Sequence, residues 1–279
     1  MTKQRLDTLL AQRGLFPSRS SAAAAVMAGE VTVGEHRRRA SKPGELLDDG
    51  VEVSVAERPR FVSRGGVKLA NALAESGLPV AGRRAIDVGA STGGFTDCLL
   101  QGGAAEVIAV DVGYGTLDYR LRSDPRVHVL ERTNARELTP ELLELAGVQP
   151  AAGAPGEPPP LDLATIDVSF ISLAKVLGAV VGCLRAPFDV LALVKPQFEV
   201  GRGRVGKGGV VRSSDDRRDA LLEVGAAALA IGCTVRGYHS SGLPGPKGNR
   251  ETFVWLGGAE AEGAHAPDAL EPLARQVEP

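Results

Sequence analysis

Cysteine is scarce in this sequence. Cys98, Cys183 and Cys233 are the only three in 279 residues, and their spacing supports neither a paired metal motif nor the stapled framework of a secreted domain. Aromatic residues are scarce too, with seven Phe, three Tyr and one Trp, so the core must be filled by Leu, Val, Ile and Ala. No stretch approaches the roughly 18 consecutive apolar residues that cross a bilayer. The opening Met1-Thr2-Lys3-Gln4-Arg5-Leu6-Asp7 also lacks the apolar run of a signal peptide. A reducing, cytoplasmic setting without integral membrane interaction is expected. His36, His128, His239 and His265 are dispersed, and no metal site is expected from them. An excess of one charge is missing as well: 32 Lys plus Arg against 34 Asp plus Glu leaves a net charge of -2 and no overall basic field. Lysine itself is rare, seven residues against 25 Arg, so each one is worth weighing for chemistry that Arg cannot perform.

Apolar residues, at 43% of the chain, suffice for one or two folded domains. Residues 1–56 read as a small front domain. Leu6, Leu9, Leu10 and Leu15 suit an amphipathic helix ending near Gly14, and Ser18-Arg19-Ser20-Ser21 caps a second helix closed by Gly29. Val31-Thr32-Val33 and the alternating Val51, Val53 and Val55 read as strands. Residues 1–65 carry a net charge of +3, and Arg5, Arg13, Arg19, Arg37, Arg38, Arg39 and Lys42 are candidates for a phosphate-facing patch. An ordinary solvated turn is the competing reading of the 37–39 run.

Residues 57–66 read as a linker and 67–257 as the main domain. Arg84-Ala85-Ile86-Asp87-Val88-Gly89 is a buried strand entering a glycine turn, Ala90-Ser91-Thr92-Gly93-Gly94-Phe95, which opens a helix. Glycines admit close approach of a ligand, and the free N–H groups of a helix start can hold its polar end. The next strand ends at Asp111, whose carboxylate can accept ribose hydroxyls. Neither a full Gly-x-Gly-x-x-Gly nor a Gly-x-x-x-x-Gly-Lys-Ser/Thr motif is present, which weakens NAD and ATP readings. Further strands at 127–130, 163–166 and 190–194 alternate with helical stripes, giving a doubly wound α/β sheet. A terminal hairpin is expected from 235–239 and 252–256. A proline-rich insertion spans 148–160, a basic glycine-rich loop spans 201–209 as a mobile lid, and 258–279 is an acidic flexible tail of net charge -4.

Residues 1–56 resemble an S4-type RNA-binding domain through Arg5-Leu6-Asp7, Arg13-Gly14, Ser18-Arg19-Ser20, Gly29-Glu30-Val31-Thr32-Val33 and Lys42-Pro43-Gly44. Five further stretches are similar to the TlyA-type branch of S-adenosylmethionine-dependent RNA ribose 2'-O-methyltransferases, related to FtsJ-like enzymes and historically also labelled haemolysins. They are Phe61-Val62-Ser63-Arg64-Gly65-Gly66-Val67-Lys68-Leu69, Asp87-Val88-Gly89-Ala90-Ser91-Thr92-Gly93-Gly94-Phe95-Thr96, Asp167-Val168-Ser169-Phe170-Ile171-Ser172, Val194-Lys195-Pro196-Gln197-Phe198-Glu199 and Gly248-Asn249-Arg250-Glu251.

The resemblance implies a Rossmann-like methyltransferase fold plus a small α+β S4-like domain. It implies a Lys-Asp-Lys-Glu catalytic site of Lys68, Asp167, Lys195 and Glu251. S-adenosylmethionine is the implied cofactor, held by Asp87, Gly89, Ala90, Ser91, Thr92, Gly93, Gly94, Phe95 and Asp111. Arg5, Arg13, Arg19, Arg37, Arg38, Lys42 and Arg64 are the expected RNA contacts. The implied substrate is cytidine in the ribosomal RNA of the 30S subunit and, in some members, of the 50S subunit. Lys195 is expected to take the 2'-hydroxyl proton and Lys68 to stabilise the oxyanion, with the two acids orienting the amines. A cofactor-binding protein without methyl transfer and a haemolysin-like membrane-active protein are the competing readings.

Overall fold

Alternate side chains of the inner strands leave in opposite directions, and each direction feeds its own apolar cluster. Ile86, Val88, Ile108, Val110, Ile166, Val190 and Val194 go one way, while Ala85, Val107, Ala109, Leu163, Leu191 and Leu193 go the other. A sheet apolar on both faces must be covered by helices on both. The computed structural model describes residues 3–56, 59–148, 160–259, 265 and 267–278. Two units divide the chain, Met1–Pro59 and Arg60–Pro279.

The first unit contains β1 (Lys3–Arg5), α1 (Leu6–Gln12), α2 (Arg19–Ala28), β2 (Val31–Val33), β3 (Arg38–Arg39), β4 (Leu46–Asp48) and β5 (Val53–Val55). β1 pairs with β4, and β2 lies between β3 and β5, all antiparallel. The Ser18 hydroxyl accepts the Ser21 N–H at 3.1 Å, and the Ser21 hydroxyl accepts that of Ser18 at 3.1 Å. This reciprocal cap satisfies two donors that the first turn of α2 cannot pair internally. Leu6 and Leu10 of α1 pack against Ala22, Ala25 and Val26 of α2 and against Val31 and Val33 of β2.

In the second unit, α3 (Arg64–Ser76), β6 (Arg84–Val88), α4 (Gly94–Gln101), β7 (Glu106–Val110), α5 (Tyr119–Arg122) and β8 (Val127–Leu130) come first. Then follow α6 (Pro140–Leu145), β9 (Leu161–Ile166), α7 (Leu177–Gly182), β10 (Asp189–Val194), α8 (Pro196–Glu199), α9 (Ser214–Ala230), β11 (Thr234–Ser240), β12 (Thr252–Gly257) and α10 (Leu270–Val277). The seven-stranded sheet runs β11-β12-β10-β9-β6-β7-β8. β12 is antiparallel to both neighbours and the remaining pairs are parallel. The chain order reverses between β6 and β9, so the loops after these strands diverge and leave a crevice at their carboxyl ends.

Two boundaries differ from expectation. Within the predicted linker, residues 60–66 belong to the second unit: Phe61 is buried on Gly66, the Val62 N–H donates to Asp97 Oδ2 at 2.9 Å, and α3 begins at Arg64. An apolar ring that finds a core does not stay in a spacer. The predicted flexible tail contains α10, because Leu270 and Ala274, four residues apart, form one apolar face that joins the core beside α9 and β11. Its end is held as well, with Arg217 in ion contact with Glu278 at 2.7 Å and Arg218 donating to the Glu278 carbonyl at 2.9 Å. Apart from its two ends, the predicted proline-rich insertion lies outside the described residues. No helix among those described is long and apolar enough to cross a membrane.

Leu270 is 5% exposed. Leu270→Ala should lower the unfolding free energy of the second unit by about 2–4 kcal/mol, the usual cost of a cavity that collapses only partly, as read by urea denaturation. A change within experimental error would show that α10 contributes nothing to this core.

Candidate active site

The crevice is shaped first by a close backbone approach. Gly89 follows β6 at φ +87, and a Cβ there would lie 2.5 Å from the Asp167 carbonyl oxygen. Only glycine lets the two loops meet at this point. The chain then turns through Ser91, at φ 51, and Gly93, at φ 96, into α4. Gly93 caps α4 without a side-chain acceptor, so the first N–H groups of the helix lack a capping partner there. Asp111 holds this loop from β7: Oδ2 accepts the Ser91 N–H at 2.7 Å and Oδ1 accepts the Gly113 N–H at 2.7 Å.

Beneath the loop, Asp87 is fully buried, accepting the Thr96 hydroxyl at 2.6 Å and the Thr165 hydroxyl at 3.0 Å. Burial pushes its carboxyl up to about 6, against the opposing effect of the two hydroxyl donors. Gly89, Ala90, Ser91, Thr92, Gly94 and Phe95 line a cleft of about 520 Å³, and Asp87, Gly93 and Asp111 are not among its lining residues. Gly93 is closed off by Leu117 and Leu121. Of the predicted cofactor residues, six line the cleft, and Asp111 holds one of them, Ser91.

All four predicted catalytic residues line the same cleft. Lys68 comes from the second turn of α3, Asp167 follows β9, Lys195 follows β10 and Glu251 precedes β12. They meet as two pairs. The Lys68 ammonium donates to Glu251 Oε2, and the two residues are 7% and 3% exposed. Lys195 Nζ stands 2.5 Å from Asp167 Oδ1 and donates to the Ser169 hydroxyl at 2.8 Å. The Asp167 contact is ionic, since Oδ1 accepts no well-aligned hydrogen bond. Two amines and two acids in a partly dry cleft strengthen one another's fields well beyond what water would allow, and the arrangement suits moving a proton from a hydroxyl while holding the oxygen in place.

Apart from Arg64, the rest of the cleft wall is not among the predicted site residues. It includes Ser63, Ser169, Phe170, Gln197, Phe198, Lys247 and Asn249. Their signal was adjacency: most lie within a few residues of Asp167, Lys195 or Glu251 on the same strand ends. Phe170 is 91% exposed and adopts φ 66, with its ring centroid 5.1 Å from that of Phe198. A bulky residue is rarely found in that backbone region, and here it presents its ring to solvent. The 201–209 loop is tethered where a mobile lid was expected. Arg204 is bound to Asp219 at 2.6 Å and to Glu223 at 3.1 Å, and the Asn249 amide donates to the Gly209 carbonyl at 2.8 Å.

The predicted RNA contacts divide by what each cation already touches. Arg64 is exposed at the cleft. In the first unit, Asp7 gathers Arg5 at 2.7 Å and Arg19 at 3.7 Å, and the hydrogen bond from Arg5 holds the Asp7 carboxyl below its usual range. Arg38 is paired with Glu45, while Arg37 and Lys42 are exposed. Arg13 instead spends its guanidinium on the carbonyls of Asp49 and Val51, at 2.5 and 2.8 Å, stapling α1 to the segment before β5.

Asp87 predicts a pH dependence. Its carboxyl holds a proton in the folded state that the unfolded chain has lost between pH about 4 and 6, so its contribution makes stability fall as pH rises through that window and level off above it. Asp87→Asn removes the penalty. The stability of the variant relative to wild type should rise from pH 4 to about 6.5 by on the order of 3 kcal/mol, followed by denaturant titration at each pH. A difference that is flat over this range would contradict the buried-acid reading.

Comparison with known proteins places this geometry. Residues 61–258 match the family model described as FtsJ-like methyltransferase, and residues 4–53 match that of the S4 domain. The chain is 48% identical over 257 residues to the 16S/23S rRNA (cytidine-2'-O)-methyltransferase TlyA of Mycobacterium tuberculosis, covering 91% of this chain and 90% of that protein. It is 31% identical over 211 residues to the 23S rRNA (cytidine-2'-O)-methyltransferase TlyA of Campylobacter jejuni, covering 75% and 76%. Among solved structures, a candidate hemolysin from Streptococcus thermophilus superposes with a TM-score of 0.69 at 40% identity, covering 99% of this chain and 96% of that one. The chain therefore belongs to the FtsJ-like methyltransferase family and carries an S4 domain ahead of its methyltransferase domain.

Proposed function

We propose that this protein transfers a methyl group from S-adenosylmethionine to the ribose 2'-hydroxyl of cytidine in ribosomal RNA. The observation that carries the reading is the convergence of the Lys68–Glu251 and Lys195–Asp167 pairs on the cleft lined by the 89–95 loop. The residues present fit the cofactor: Gly89, Ala90, Gly94 and Phe95 line the cleft, and Ser91 and Thr92 line it while standing exposed just before α4. When bound, the cofactor supplies a sulfonium methyl as electrophile. The similarity to TlyA enzymes over most of both chains supports cytidine as the nucleoside.

The protein's own groups then divide the work. Lys195 takes the proton from the 2'-hydroxyl, so that the ribose oxygen would be free to meet the methyl group that the bound cofactor would supply. Asp167 balances the ammonium that results. Lys68, held by Glu251, turns its remaining N–H donors toward the developing oxyanion. Phe170, backed by Phe198, offers a face on which the nucleobase stacks. Arg5 and Arg19, gathered by Asp7, and the exposed Arg37 and Lys42 offer cations to the phosphate backbone. Such a substrate puts the protein in the cytoplasm, on the 30S subunit and, as the two TlyA enzymes suggest, the 50S subunit.

Purified protein incubated with labelled S-adenosylmethionine and separated ribosomal subunits should give label that maps to 2'-O-methylcytidine. Label on neither subunit, together with intact cofactor binding, would favour a binding protein without transfer. Leakage of lipid vesicles in the same preparation would favour the membrane-active reading. Lys195→Ala should lower the transfer rate by about 10²–10⁴-fold, the range of general base catalysis, while cofactor affinity stays within twofold. Near-normal transfer by this variant would remove Lys195 from the mechanism. Phe170→Ala should raise KM for RNA several-fold with little change in cofactor affinity, and an unchanged KM would show that the ring holds no base.

A further inference from the structure

Asn249 is 2% exposed and stands two residues before Glu251. Its side-chain oxygen accepts the Val211 N–H at 2.9 Å, and its amide donates to the Gly209 carbonyl at 2.8 Å. A single amide thus pairs one donor and one acceptor of the 201–211 loop, as a neighbouring strand would. The carboxamide of Asn or Gln sets a donor nitrogen and an acceptor oxygen side by side on one carbon, and Gln is one methylene longer.

The backbone of Asn249 is committed too. Its carbonyl accepts the Gly245 N–H at 2.8 Å, and the Gly248 N–H donates to the Gly245 carbonyl at 2.9 Å, closing the 245–249 turn. That turn presses on the tetrad. A Cβ on Gly245 would fall 2.2 Å from Glu251 Oε1, so that carboxylate oxygen has room only because position 245 is glycine. On the other side, Gly209 and Val205 of the loop and Lys247 of the turn line the cleft, and Lys207 is exposed on the loop.

From this geometry we infer that Asn249 is a positioning residue, joining the basic 201–211 loop to the turn that seats Glu251, so that Glu251 meets Lys68 in the geometry that methyl transfer requires. It touches no reacting atom. Its effect on rate passes through Glu251, and through Glu251 to the Lys68 ammonium. The inference rests on the methyl-transfer reading for its kinetic consequence, while its structural consequence stands apart from it.

The test is a double-mutant cycle on the full chain. Asn249→Asp keeps the shape and the acceptor for Val211 but loses the donor and sets a carboxylate against the Gly209 carbonyl. Single-turnover transfer should fall at least tenfold in this variant, with S-adenosylmethionine affinity within twofold of wild type. In a Glu251→Gln background the same substitution should change the rate less than twofold. Equal losses in both backgrounds, or loss of cofactor binding together with activity, would overturn the assignment and leave Asn249 as part of the fold alone. Amide hydrogen exchange gives the activity-independent readout. Asn249→Ala should speed exchange at least tenfold in both the 205–211 loop and the 245–251 turn, and acceleration confined to one of them would also overturn it. A wild-type chain that transfers no methyl group would strike the methyl-transfer reading, whereas exchange would still decide the coupling.

Discussion

Two lysines held at low exposure by two carboxylates are the constraint around which the second unit is organised. A buried ammonium without a partner would cost several kcal/mol in lost solvation, so Lys68 cannot be placed where it is unless Glu251 arrives from a point 183 residues further along the chain. The same holds for Lys195, whose partner Asp167 stands one strand away. Each pair couples elements that local structure leaves independent: α3 to the entry of β12, and the end of β9 to the end of β10. The cleft is therefore assembled only when the whole sheet is assembled.

Sheet topology makes this meeting possible. Because β9 and β10 run parallel and neighbour each other, Asp167 and Lys195 leave at the same edge. Because β12 runs antiparallel beside β10, its beginning reaches that edge, and Glu251 with it. A parallel last strand would have delivered its end there instead. The glycine at position 89 lets the loop after β6 touch the loop after β9, bringing the 89–95 loop to the acids and amines. The hairpin reversal, the parallel pairing and the close backbone contact each place one wall of the cleft.

Much of this was legible in the residues. The alternation of strands and helices, the serine cap at Ser18 and the turn at Gly89 follow from periodicity, capping chemistry and the special freedom of glycine. The four catalytic candidates were legible through family resemblance; their own spacing said only that each lies near an element end. Other features were hidden for physical reasons. β1 is Lys3-Gln4-Arg5 and β4 is Leu46-Leu47-Asp48, and in neither do apolar and polar residues alternate. The apolar face of α10 rests on Leu270 and Ala274 within an acidic stretch, and charge dominated the reading. Arg13 looked like a phosphate ligand because sequence reports a cation and not the two carbonyls that already occupy it.

Local chemistry thus lay in the sequence: which segments form strands, where helices start, and which residues are capable of taking a proton or holding a phosphate. Only the folded chain decided who meets whom. It turned Asp87 inward onto the Thr96 hydroxyl, sent Asp111 to two backbone amides, and tied the 201–209 loop down through Asn249. The physical reason is that burial and pairing depend on neighbours brought from far along the chain. A carboxylate with two nearby donors, or an arginine facing a carbonyl, carries no mark of that fate in the residues beside it.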